Sequence, residues 1–90
     1  MMEDRVKKYN DICINHEELI DSINNLLNDF EKDDKNFDSL IKYYYSDWNE
    51  DYESNLSYSI LSEDYIYDVL GKDRELGLRL IEIGLKLMKR

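Results

Sequence analysis

Ninety residues fit a single domain spanning 1–90, and a chain of this length buries only about 60 to 65% of the surface its unfolded form exposes, so its stability margin is modest. A net charge of −9 argues against direct binding to nucleic acid or to an anionic membrane, because both repel such a surface. The single cysteine, Cys13, excludes an internal disulfide. The start Met-Met-Glu-Asp-Arg has neither the basic nor the apolar region of a signal peptide, and no apolar run reaches transmembrane length, so a cytoplasmic protein is expected.

With no proline and three glycines, no position forbids helix, and an all-α fold is expected. Asn, Asp and Tyr lower the intrinsic helix propensity, so packing has to hold the helices. From Met2 the apolar positions run Met2, Val6, Tyr9, Cys13, His16, Ile20, Ile23, Leu27 and Phe30, alternating steps of four and three. This is a heptad seam. Ile12, Leu19 and Leu26 lie beside it and widen the stripe to what a bundle helix needs. The spacing predicts a first helix over about 3–31.

Glu31-Lys32-Asp33-Asp34-Lys35-Asn36 has no apolar residue and sets an acid on the seam, so a short turn is expected before a second helix over about 34–45. Ser46 or Asp47 is placed to cap a short third helix from Trp48 to about Ser54, with Asp47, Glu50 and Asp51 in its electropositive first turn. Asn55–Leu61 reads as a connection: Ser57-Tyr58-Ser59-Ile60-Leu61 alternates as a strand would, but a lone strand has no partner. Ser62 is expected to cap a final helix from Glu63 to about Met88. That helix carries one seam through Val69, Asp73, Leu76, Leu80, Ile83 and Leu87 and a second through Leu78, Ile81, Leu85 and Met88, a breadth that implies more than one neighbour. Gly71 is a candidate kink. Gly77 and Gly84, on one face, each cost up to about 1 kcal/mol against alanine, which close approach of another backbone would offset. The expected architecture is a small helical bundle: long N- and C-terminal helices packed antiparallel, with two short helices between them.

The charge is unevenly spread. Residues 1–28 hold six acids and three bases, 29–68 twelve and three, and 69–90 three and six, giving −3, −9 and +3. Seven of the eight tyrosines and the only tryptophan fall within Tyr43–Asp68. A ring with a polar tip can be half buried and half presented, so acid interleaved with aromatics suits a recognition surface. Tyr45, Asp47, Glu50, Asp51, Tyr52, Glu53, Asp64 and Asp68 are the candidate partner-binding residues. Tyr44, Trp48 and Tyr52, four apart, are placed to continue the core, whereas Tyr43, Tyr45, Tyr58 and Tyr67 read as half-exposed rings.

Signals for chemistry are weak. His16 and Cys13 fall on the first seam, where a packed imidazole and a small core residue are the simpler readings. Asp47, Asn49 and Asp51 match the first three ligands of a calcium loop, but Tyr52 replaces its glycine and Tyr58 its bidentate glutamate. Phosphate-binding glycine loops, paired cysteines and nucleophile elbows are absent. The expectation is a protein that is not an enzyme and needs no cofactor or metal.

Tyr43-Tyr44-Tyr45-Ser46-Asp47-Trp48-Asn49-Glu50-Asp51-Tyr52-Glu53, followed by Ile60-Leu61-Ser62-Glu63-Asp64-Tyr65-Ile66-Tyr67-Asp68-Val69-Leu70, resembles a family of small bacterial helical proteins known as a domain of unknown function, DUF4298. The likeness is close over the second half and extends to the first helix only as a heptad pattern. In that family a Tyr-Tyr pair leads to Trp-x-x-Asp-Tyr-Glu, and Leu-Ser-Glu-Asp opens a long final helix. The resemblance therefore marks Trp48, Asp51, Tyr52, Ser62, Glu63 and Asp64 as family-like and implies the helical order. Ser54–Ser59 stands where members carry a longer link with glycine, proline and a Lys-Arg-Gly step. No activity is implied.

The first functional expectation is an acidic inhibitor that occupies the basic, nucleic-acid-binding surface of another protein, as phage-type inhibitors of defence enzymes such as anti-CRISPR proteins do. The others are an immunity or antitoxin-like protein, and a self-assembling structural protein forming a homodimer through the C-terminal helix.

Overall fold

The computed structural model describes all residues, Met1–Arg90. The chain is all-α: α1 (Met2–Lys32), α2 (Asp34–Tyr44), α3 (Trp48–Tyr52), a 3-10 turn (Ser59–Leu61) and α4 (Tyr65–Met88), with no strand. Two compact units result, Met1–Leu40 and Ile41–Arg90.

In the first unit α1 runs for 31 residues, with Glu3 and Asp4 in its first turn and Lys32 in its last, charges that complement the helix dipole at both ends. Its ion pairs, Lys7–Asp11 and the Met1 amino group with Asp4, are both 3.9 Å and exposed, and such pairs contribute at most about 1 kcal/mol. The polar run after Phe30 interrupts the helix less than its composition suggests. Asp33 alone leaves the helical pattern, keeps right-handed dihedrals of −77° and −9°, and donates its N–H back to Asp29. Phe37 N–H in turn reaches the Asp33 carbonyl at 3.0 Å, so the expected multi-residue turn contracts to one residue. No residue of α1 is buried; Leu27 alone is half-buried and the rest of the seam is exposed.

The second unit is built around Trp48 and Ile66, 8% and 2% exposed, the only buried side chains in the protein. α3 and α4 both pack against the 3-10 turn. The Trp48 indole N–H donates to the Ile60 carbonyl at 2.7 Å, which ties α3 to that turn across twelve residues of sequence. Tyr44 meets the indole edge-on at 5.3 Å, and Tyr52 stacks on it at 4.9 Å with 25° between planes. Rings spaced four apart thus form one aromatic ladder along the end of α2 and α3.

Three local expectations are corrected here. The Ser46 hydroxyl donates to the Lys42 carbonyl at 2.7 Å, so it closes α2 and does not cap α3; Asp47 holds the N-cap position without a side-chain cap bond. Ser62 has the extended backbone of a cap, at −77° and 136°, but makes no cap bond. The first α-helical bond beyond it runs from Asp68 N–H to the Asp64 carbonyl, so α4 starts two residues later than expected. α4 passes through Gly71 without interruption, and a Cβ added at Gly71, Gly77 or Gly84 would meet nothing within 4 Å. The close backbone approach expected at Gly77 and Gly84 is therefore absent from the chain.

Because stability in the second unit concentrates on two side chains, Ile66→Ala should cost about 2–5 kcal/mol and Trp48→Ala about 3–5 kcal/mol in denaturant unfolding. Met88→Ala, at the exposed end of α4, should stay within about 0.5 kcal/mol.

Candidate partner-binding surface

Residues 43–68 contain seven acids and no Lys, Arg or His. Both ion pairs in the protein lie within residues 1–11, so none of these seven carboxylates is in an ion pair. Two of them are held by tyrosine hydroxyls. Tyr43 Oη donates to Asp51 Oδ2 at 2.8 Å, linking the end of α2 to α3. Tyr52 Oη donates to Glu63 Oε1 at 2.8 Å, linking α3 to the residues just before α4. Each carboxylate favours the protonated phenol: the hydrogen bond to Asp51 raises the Tyr43 pKa above its ordinary value, and the hydrogen bond to Glu63 does the same for Tyr52.

The eight candidate residues separate into three groups. Asp51 is half-buried and engaged by Tyr43, and Tyr52 is engaged twice, by the indole and by Glu63; both are part of the scaffold. Asp47, Glu50, Glu53 and Asp64 are exposed. Tyr45 and Asp68 come together in the lining of an open cleft of about 890 Å³, along with Tyr44, Tyr65 and Tyr67. Lys72 and Arg74 also line this cleft; they were not among the candidate residues, and the basic balance of 69–90 is their one signal in the sequence. Tyr45, Tyr58 and Tyr67 are 77%, 69% and 71% exposed, the presented rings of the region. With Asp51 turned to Tyr43, the Asp47-Asn49-Asp51 spacing gathers no ligand set, and nowhere do three or more His, Cys, Asp or Glu side chains converge as a metal site would need.

The two phenol–carboxylate bonds set an alkaline limit. A phenol with a raised folded-state pKa contributes stability that is complete below its unfolded value, near 10, and is lost as pH rises through the folded value. Stability should therefore fall above about pH 10, and Tyr43→Phe with Tyr52→Phe should flatten that fall and remove the late component of the ultraviolet tyrosine titration. An unchanged titration curve in the double variant would refute the assignment.

Comparison with curated proteins and with solved structures found no match. The pattern of the family described as Domain of unknown function (DUF4298) matches residues 6–83, from the first turns of α1 to within one turn and a half of the end of α4. The Tyr-Tyr pair with its Trp-x-x-Asp-Tyr-Glu sequence and the Leu-Ser-Glu-Asp step lie inside that match, at the Trp48 ladder and the entry to α4. The chain belongs to the DUF4298 family.

Proposed function

We propose that this protein is a non-enzymatic inhibitor that occupies a basic, nucleic-acid-binding surface of another protein. One observation carries the reading: the stretch 43–68 folds with seven acids, no base and no ion pair, while Tyr45, Tyr58 and Tyr67 stand exposed within it. Carboxylates left unpaired within one chain are complementary to cations on another and speed encounter through long-range attraction. Exposed tyrosines supply contact area at low conformational cost once the surfaces meet. The acidic field competes for sites that otherwise hold phosphates.

The test begins with affinity capture from the native host, followed by binding kinetics on the captured protein. Glu50→Lys, Glu53→Lys and Asp64→Lys together should slow association about tenfold or more, and raising salt should slow the parent similarly, since the Debye length is about 10 Å at 0.1 M. Tyr45→Ala should mainly speed dissociation. Asp51 and Tyr52 are left intact because their loss disturbs the scaffold. The captured protein should also lose nucleic-acid binding as this protein is added. Salt-independent affinity, with a folded triple-lysine variant binding as well as the parent, would overturn the proposal.

A further inference from the structure

We infer that α1 is a self-association element, and that the exposed seam of one copy pairs antiparallel with the seam of a second copy. The seam is continuous from Met2 to Phe30, and all of it except half-buried Leu27 is exposed, as are Ile12, Leu19 and Leu26 beside it. An apolar stripe of this length marks an interaction surface. At a rise of about 1.5 Å per residue it extends for more than about 40 Å, and a seam repeating by heptads is the pattern that one helix presents to another.

The flanking residues specify the occupant and its direction. In heptad terms Val6, Cys13, Ile20 and Leu27 take the a positions, Tyr9, His16, Ile23 and Phe30 the d positions, and Ile12, Leu19 and Leu26 the g positions. In a parallel pair each g residue faces an e residue of the partner, so these three aliphatic side chains would meet the partner's Glu17, Asn24 and Glu31, polar or charged in every case. Reversing one helix brings g against g. Leu19 then meets the partner's Leu19 and Ile12 the partner's Leu26, while along the seam Val6 meets the partner's Phe30 and Cys13 the partner's Ile23.

Charge points the same way. Arg5, near one end of α1, occupies a g position, as Asp33 does just past the other end. Antiparallel pairing sets Arg5 against the partner's Asp33 on the g flank and opposes the helix dipoles favourably, whereas parallel pairing aligns the dipoles. The e flank opposes the arrangement: it brings Glu17 to the partner's Glu17 and Glu3 to the partner's Glu31, like-charge contacts that each cost a few tenths of a kcal/mol at an exposed site.

Cys13 makes the register testable. In the antiparallel pair two Cys13 residues are offset by ten residues, about 15 Å along the axis, and disulfides need Cα atoms within about 7 Å. Sedimentation of the full chain at tens of micromolar should give a dimer. Oxidation should leave the parent unlinked, but should convert Ile23→Cys to a disulfide-linked dimer whose peptide map joins residue 13 to residue 23; within one helix the same two residues are too far apart to join. Ile23→Glu should halve the sedimenting mass at unchanged helicity, and Ile83→Glu on α4 should leave the dimer intact. A parent that sediments only as monomer, a Cys13–Cys13 link in the parent, or a dimer lost with Ile83→Glu and kept with Ile23→Glu would each overturn the inference. None of these changes touches 43–68, so the outcome is separable from that of the proposed function.

Discussion

The second unit depends on one indole. Trp48 is the only residue that joins α3 to the 3-10 turn by a side-chain hydrogen bond and also carries a ring on each side. Burying an indole removes a large apolar area from water, but its N–H must find an acceptor or the burial costs about 1–3 kcal/mol. The Ile60 carbonyl meets that demand, and because Ile60 lies in an otherwise irregular connection, the demand orders the connection as well. α4 packs on the turn so ordered. One aromatic residue thus converts the five-residue helix α3, too short to persist alone, into a fixed platform.

How much of this was legible in the sequence follows from the range of each interaction. Helix order and extent came from periodicity over many residues, so α1, α2 and α4 were readable to within two residues at their ends. The ladder of Tyr44, Trp48 and Tyr52 was readable too, because fourfold spacing on helical segments is a local property. The bonds Tyr43–Asp51, Tyr52–Glu63 and Trp48–Ile60 span eight, eleven and twelve residues and depend on how irregular segments turn, which no propensity specifies. Asp51 was accordingly read only as a presented group, and Tyr52 both as core and as presented, although the fold uses both. The Gly77–Gly84 spacing signalled a close approach that the chain does not make, because a shared face shows only where a neighbour would fit.

The two units solve the problem of a small core differently. The second buries two side chains and arranges rings and phenols around them. The first spreads its apolar residues along the surface of a single long helix, where propensity alone sustains helix only marginally and a packed face supplies most of the remaining stability.

The hydroxyl–carboxylate bonds also separate position from charge. Had lysines or arginines oriented Asp51 and Glu63, each carboxylate would be held and neutralised in one step, and the central segment would be rigid but electrostatically quiet. A phenol donates its proton while contributing no positive charge, so the carboxylate is aimed and its field survives. The same device keeps desolvation small, since the neutral phenol brings no second charge out of water. The geometry of the acidic region is therefore fixed without lowering the charge that sets the reach of its potential.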